Sequence, residues 1–132
     1  MVDVGVAAKA RILVVDDSSL VRLYYLSTLE KAGFEVEQAI NGIEAMERVL
    51  SQRFDLVIVD VNMPRMDGFS FLRSLRCATD DVATLPALMI STESETHDIA
   101  QARASGANFY LVKPVAEADL LRHVCVLTGV PL

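Results

Sequence analysis

No apolar run approaches the length of about eighteen residues that a bilayer-spanning helix requires, although 52% of the 132 residues are hydrophobic. That combination argues against a membrane span and for one compact domain able to bury its own core. Basic charge is scarce: twelve Lys and Arg against eighteen Asp and Glu leave a net charge of −6. Non-specific attraction to DNA, RNA or an anionic bilayer is disfavoured, so a protein or a cation is the expected partner. The opening MVDVGVAAKA lacks the basic start and the apolar stretch of a secretory signal, which points to the cytoplasm. Cysteine is sparse too. Cys77 and Cys125 have neither metal-site nor redox-motif spacing and fall within helical patterns, so both are expected as reduced packing residues. Repeats, low-complexity tracts and linkers are missing, and the chain divides into a short leader over 1–10, one folded domain over 11–129 and a tail over 130–132.

What is present is an alternation of two patterns. Arg11 to Asp16, Phe54–Asp60, Leu85–Ser91 and Asn108–Val112 are short runs, apolar nearly throughout, as expected of strands covered on both faces. Glu35–Ala39 alternates instead, with Val36 and Gln38 assigned to opposite faces, and reads as a strand nearer an edge. Helical periods lie between. Val21, Tyr24, Tyr25, Thr28, Leu29 and Ala32 form one stripe, which Gly33 stops. Asn41 caps a second helix carrying Ile43, Met46 and Leu50 inward, and Asp67-Gly68 opens a third with Phe69, Leu72 and Leu75. A fourth runs over Glu95–Ser105 to Gly106, and Leu120, Val124 and Leu127 mark the fifth. Five β/α pairs predict an α/β fold: a (βα)5 doubly wound parallel sheet between two helical layers, with right-handed crossovers. Ligands of such sheets sit beyond the carboxyl ends of the strands, where strand order reverses. Those ends carry Asp16-Asp17, Asp60, Ser91-Thr92 and Lys113.

Three carboxylates gathered at one end repel one another and hold raised pKa values unless a cation joins them. A hard divalent ion, Mg²⁺ or Mn²⁺, meets that need, since Mg²⁺ takes carboxylate and phosphate oxygens octahedrally and keeps several waters. Asp17, Asp60 and the backbone carbonyl of Asn62 are the expected direct ligands, with Asp16 acting through water. A carboxylate can also attack phosphorus and form an acyl phosphate. Lys113 is the only lysine at a strand's carboxyl end and would neutralise phosphoryl charge, while Ser91 offers a hydroxyl to the same group.

Four segments carry a resemblance. Asp16-Asp17, Asp60-Val-Asn-Met-Pro-Arg-Met-Asp-Gly68, Leu85-Pro-Ala-Leu-Met-Ile-Ser91 and Tyr110-Leu-Val-Lys-Pro114 resemble the motifs of response-regulator receiver domains of bacterial two-component signalling, over about Arg11 to Leu127. The resemblance implies strand order 2-1-3-4-5. It implies a phosphoacceptor switch rather than an enzyme, phosphorylated on Asp60 by a histidine kinase, a phosphotransfer protein or a small phosphodonor, and then autodephosphorylating. Asp16 and Asp17 become the acidic metal pair, Lys113 the phosphate-contacting lysine, Ser91 the switch hydroxyl and Tyr110 the switch aromatic. Lys113-Pro114 is expected cis. Drawing Ser91 toward the phosphoryl group would vacate space for Tyr110 and bias a loop and helix between two packings, so the face of the fourth helix, fifth strand and fifth helix is expected to bind the downstream protein. Asn62 and Glu93 flank the path of the attacking water and are expected to tune phosphate lifetime.

The chain departs from the family in places. Ser91 stands where threonine is commoner, which keeps the hydroxyl and loses a methyl. Glu95-Thr96 occupies a stretch where chemotaxis members often carry lysines, which places docking of an acidic peptide there in doubt. His97 and His123 lack metal-like spacing and are expected at the surface. A stand-alone regulator is the first reading, and a receiver excised from a longer regulator or hybrid kinase is the alternative. A phosphatase of the haloacid dehalogenase type would need Asp-x-Asp after the first strand, where this chain has Asp16-Asp17-Ser18. A flavin-binding module would need a small-residue phosphate cradle in place of that acidic turn.

Overall fold

Apolar, β-branched segments pair side by side into a parallel sheet, and the helices between them cover it. The computed structural model describes residues 10–131. Their order is β1 (Arg11–Val15), α1 (Ser19–Lys31), β2 (Glu35–Ala39), α2 (Gly42–Ser51), β3 (Leu56–Asp60), α3 (Gly68–Arg76), α4 (Asp80–Ala83), β4 (Ala87–Ser91), α5 (Thr96–Ser105), β5 (Phe109–Val112) and α6 (Glu117–Thr128). The strands lie in the order β2-β1-β3-β4-β5, all parallel. Two-residue periodicity splits the strand side chains between two cores. Leu13, Val15, Val57, Val59 and Met89 meet α2, α3 and α5 on one face, and Ile12, Val14, Ile58, Leu88 and Ile90 meet α1 and α6 on the other. Each such side chain taken fully from water stabilises the fold by about 1.5–3 kcal/mol. The α/β architecture and the 2-1-3-4-5 order expected from the resemblance are those observed.

Several details differ from the sequence reading. Proline decides one strand boundary: Pro86 lacks an N–H for the ladder, so β4 starts at Ala87 and Pro86 contributes only its carbonyl, to Val57 N at 3.0 Å. β3 starts at Leu56 because Asp55 turns its carboxylate to Arg11 N, at 2.8 Å. Expected to be covered on both faces, β5 is an edge strand with Phe109 and Val112 exposed, β4 being its one neighbour among the described residues. Val36 and Gln38, two residues apart, share a face rather than opposing each other, and both turn toward α1.

Helix α2 is rotated from its expected phase. Ala45 and Val49 are buried, while Ile43 and Leu50 are exposed. The capping bond from Glu44 N to Asn41 Oδ1, 2.9 Å, and the close approach of Gly42 to Met66 set that rotation. The single turn α4 was not anticipated, so the fourth and fifth expected helices are α5 and α6. Glu95 is the N-cap of α5 rather than its first residue. Cys77, expected as a packing residue, is exposed at the C-cap of α3, and Cys125 is half-buried. Residues 1–9 of the expected leader and Leu132 of the tail lie outside the described residues, whereas Ala10 is buried and its carbonyl accepts from Glu35 N at 2.9 Å. Among the described residues no helix is long and apolar enough to cross a membrane.

Candidate acidic site at the strand ends

Strand order reverses between β1 and β3, and the two strands end there in acid. Asp16 N continues the ladder to Ala39 O at 3.1 Å before the chain turns into α1. The turn is tied down at three points. Asp16 Oδ1 accepts from Ser18 N at 2.9 Å, Ser18 Oγ accepts from Val21 N as the cap of α1, and Arg22 donates to the Asp16 carbonyl at 2.6 Å. Arg22 also reaches Gln38 Oε1 of β2, at 3.0 Å. Asp16 is thereby buried, while Asp17, one residue on, stays exposed.

Asp60 closes β3 and is also buried. Glycine at position 68 makes this possible: a Cβ there would fall onto the Asp60 carbonyl, so α3 can start only at that spacing if the side chain is missing. Gly68 N donates to the Val61 carbonyl at 2.9 Å and closes the loop that carries Asn62. One carboxylate oxygen from each of Asp16, Asp17 and Asp60 lies within 4.8 Å of the other two. Lys113 reaches in from the end of β5, its Nζ 3.0 Å from Asp16 Oδ2 and 3.2 Å from Asp60 Oδ1. The Lys113–Pro114 peptide is cis, and Lys113 N donates to the Ser91 carbonyl at 2.8 Å.

Three carboxylates against one ammonium leave the cluster strongly negative. Burial first, then the charge of Asp16 and, less, that of Asp17 push the Asp60 carboxyl up to about 6, against the opposing pull of Lys113. Burial works against the Lys113 charge as well, yet its bonds and attraction to Asp16 and Asp60 outweigh that and hold its pKa above the ordinary lysine value. So crowded an array of hard oxygen donors suits a divalent cation.

Ser91 ends β4 fully buried, one residue past the Ile90 that pairs with Asp60. Its Oγ accepts from Glu93 N at 3.1 Å, and Tyr110 Oη donates to the Glu93 carbonyl at 2.6 Å. One peptide segment is thus gripped from both sides. Burial raises the Tyr110 pKa, with the Ser91 hydroxyl opposing. Asn62 and Glu93 are exposed. His97 is exposed, whereas His123 is half-buried with its ring edge-on to Phe109, centroids 5.3 Å apart.

The structure therefore gathers Asp16, Asp17, Asp60 and Lys113 into one contact set, joins Ser91 to it through the bond from Lys113 N, and joins Tyr110 to Ser91 through Glu93. Sequence reasoning missed Arg22, and it took Tyr24 and Tyr25 for ordinary core residues. Tyr25 is buried near enough to the site that, after desolvation, the charges of Asp16 and Asp60 raise its phenol pKa. The spacing of Arg22, one helical turn beyond an acidic turn, was a usable signal. Nothing in the sequence distinguished the tyrosines.

A doubly wound sheet with acids and a lysine at its order reversal is the arrangement that the resemblance to receiver domains implied. The family described as the response regulator receiver domain matches residues 12–125. Transcriptional regulatory protein PrrA of Mycobacterium leprae is 39% identical over 125 residues, 95% of this chain and 52% of that protein. Response regulator MprA of Mycobacterium ulcerans is 39% identical over 117 residues, 89% of this chain and 49% of that protein. The chain spans about half the length of these curated relatives. Among solved structures, chemotaxis protein CheY4 of Vibrio cholerae superposes with a TM-score of 0.85 at 39% identity, covering 92% of this chain and 99% of that one. The signal receiver domain of a signal transduction histidine kinase from Syntrophus aciditrophicus gives 0.84 at 32% identity, covering 91% and 90%. This chain belongs to the response regulator receiver domain family.

Proposed function

We propose that this receiver accepts a phosphoryl group on Asp60 in a Mg²⁺-dependent reaction and passes the event to a protein partner through α5, β5 and α6. The observation that carries the reading is the cluster of Asp16, Asp17 and Asp60 oxygens within 4.8 Å, with Lys113 bound to two of the three residues. Asp17, Asp60 and the Asn62 backbone carbonyl would hold Mg²⁺ or Mn²⁺ directly, and Asp16 would act through water. A bound ion supplies charge neutralisation to the phosphoryl oxygens.

The remaining steps belong to the side chains. Asp60 Oδ attacks the phosphorus of a phosphohistidine on a sensor kinase or phosphotransfer protein. The P–N bond breaks, and its electron pair stays on the imidazole, which takes a proton from water. With acetyl phosphate the P–O bond to the acyl group breaks instead and acetate leaves. Lys113 transfers its hydrogen bond from Asp60 to a phosphoryl oxygen. Return to the start requires water to attack phosphorus, the bond to Asp60 to break and orthophosphate to leave, with Asn62 and Glu93 setting the lifetime. Phosphorylation adds acceptor oxygens that compete for the Ser91 hydroxyl. Turned toward them, Ser91 releases Glu93 N, the seat of Tyr110 loosens, and α5 shifts its packing.

Incubation with Mg²⁺ and acetyl phosphate, followed by intact mass, tests the assignment. The wild type should gain one phosphoryl group, and Asp60→Asn, or wild type stripped of divalent ions, should gain none. Equal labelling of Asp60→Asn would refute it.

A further inference from the structure

We infer that Tyr24 is a positioning residue for the Lys113 ammonium, because α1 ties down both sides of the Asp16–Lys113 ion pair. The inference rests on the phosphoryl-transfer reading above. On the acidic side, Arg22 of α1 donates to the Asp16 carbonyl at 2.6 Å. On the basic side, two residues further along the same helix, Tyr24 Oη donates to the Val115 carbonyl at 2.9 Å, across 91 positions of sequence. Val115 is two residues from Lys113. The backbone of that lysine is therefore held upstream by its N–H on the Ser91 carbonyl, 2.8 Å, and downstream by the Tyr24 latch.

A rigid helix with two such attachments acts as a ruler. It sets the gap across which Lys113 Nζ sits 3.0 Å from Asp16 and 3.2 Å from Asp60. The Val115 side chain is buried in the α1 and α6 core, so the loop does not depend on the latch to stay folded. What the latch sets is the tilt of the loop. Tyr24 lines a hollow of about 510 Å³ together with Leu20, Val21, Tyr25, Thr92, Lys113 and Pro114. With Thr92 and Lys113 in that lining, what the Val115 carbonyl loses with the phenol is a donor fixed to α1, and with it the link between that helix and the loop. The ring is itself braced against Tyr25, with centroids 5.7 Å apart and planes at 52°. Displacements well under 1 Å matter here, since a misplacement of about 1 Å can cost about a hundredfold in rate.

Phosphorylation of the full chain by acetyl phosphate at saturating Mg²⁺ tests the role, with wild type, Tyr24→Phe, Lys113→Ala and the double variant measured side by side. Tyr24→Phe is expected to slow phosphoryl incorporation by about tenfold. Its Mg²⁺ affinity by calorimetry should stay within about twofold of wild type, because no carboxylate has lost a contact. In the Lys113→Ala background the same change should alter the slower rate by less than about twofold, since there is no ammonium left to place. An unaltered rate in Tyr24→Phe overturns the inference alone. So does an equal slowing with and without Lys113, or a loss of Mg²⁺ affinity in step with rate, either of which marks general disturbance of the site. Failure of the wild type to incorporate phosphate overturns the phosphoryl-transfer reading itself and the inference with it.

Discussion

Helices α3 and α5 lie on the same face of the sheet and follow the two strands that end in Asp60 and Ser91, yet they are held in opposite ways. Over nine residues, α3 buries Gly68, Phe69, Phe71, Leu72 and Leu75. Its first turn is capped by Asp67, whose Oδ1 accepts from Ser70 N at 2.8 Å. At its far end, Arg76 donates to the carbonyls of Ala83, Leu85 and Gly106 and to Asn108 Oδ1. Over ten residues, α5 buries only Ala102 and Ser105, and Glu95 makes no side-chain capping bond. Its tail is fastened to α3, through Arg73 to Ser105 Oγ at 3.3 Å and Arg76 to Gly106. Its head is not. The helix that backs Asp60 is fixed by the core, while the helix after Ser91 has little buried surface to lose. Low local stability of that kind is what a segment needs if a small change in hydrogen bonding is to move it.

The largest effect that could break this comparison is a cavity. Phe71→Ala, at a fully buried site, should cost about 3–5 kcal/mol in urea unfolding, whereas Ile99→Ala on α5 should stay within about 0.5 kcal/mol. Similar costs would abolish the distinction. Next comes pH. The folded Asp60 carboxyl stands at about 6 against an ordinary 3.8, so between those values the folded protein holds a proton that the unfolded chain has lost. Metal-free stability should therefore rise as pH falls through about 6, and the penalty, at most about 3 kcal/mol, should be fully present above it. Asp60→Asn should be more stable than wild type at pH 7, with the difference shrinking toward about pH 4. A pH-independent difference between the two would contradict the crowding described at the strand ends.

Smaller again is Gly68→Ala. The added methyl must push α3 away from the Asp60 carbonyl, which should cost about 1–3 kcal/mol and slow phosphorylation. A neutral result would show that α3 yields as readily as α5. The smallest effect sharpens the comparison. Glu95→Asp supplies a good capping side chain, and should stabilise the head of α5 by about 1 kcal/mol or less. Slower amide exchange in the first turn of α5, with α3 unchanged, is the expected signature.

Much of this architecture could be read in the residues. Continuous apolar runs marked β1, β3 and β4, and the caps Asn41 and Asp67 and the stop at Gly33 followed from local backbone chemistry. The acids and the lysine stand at strand ends, so once alternating strands and helices were recognised their convergence followed from the topology. Helix phase was less accessible. Ile43 and Leu50 are larger apolar residues than Ala45 and Val49, and hydrophobicity alone favoured the wrong side of α2. Contact of Gly42 with Met66, more than twenty positions away, decided it. β5 misled for a related reason: its composition is that of a covered strand, but coverage depends on what lies beyond the edge.

Residue order by itself determined the five strands and five of the six helices and put each acidic or basic group at a strand end, because those depend on periodicity and on neighbours close along the chain, and its motifs carried the resemblance to the family. Tertiary structure alone decided which side of α2 faces inward, how deeply Asp16 and Asp60 are buried, and the bonds from Tyr24 to the Val115 carbonyl and from Arg76 to the Gly106 carbonyl. A carbonyl is the same group at every residue, so nothing in the chain marks which one a side chain from another helix will find until folding brings the two together.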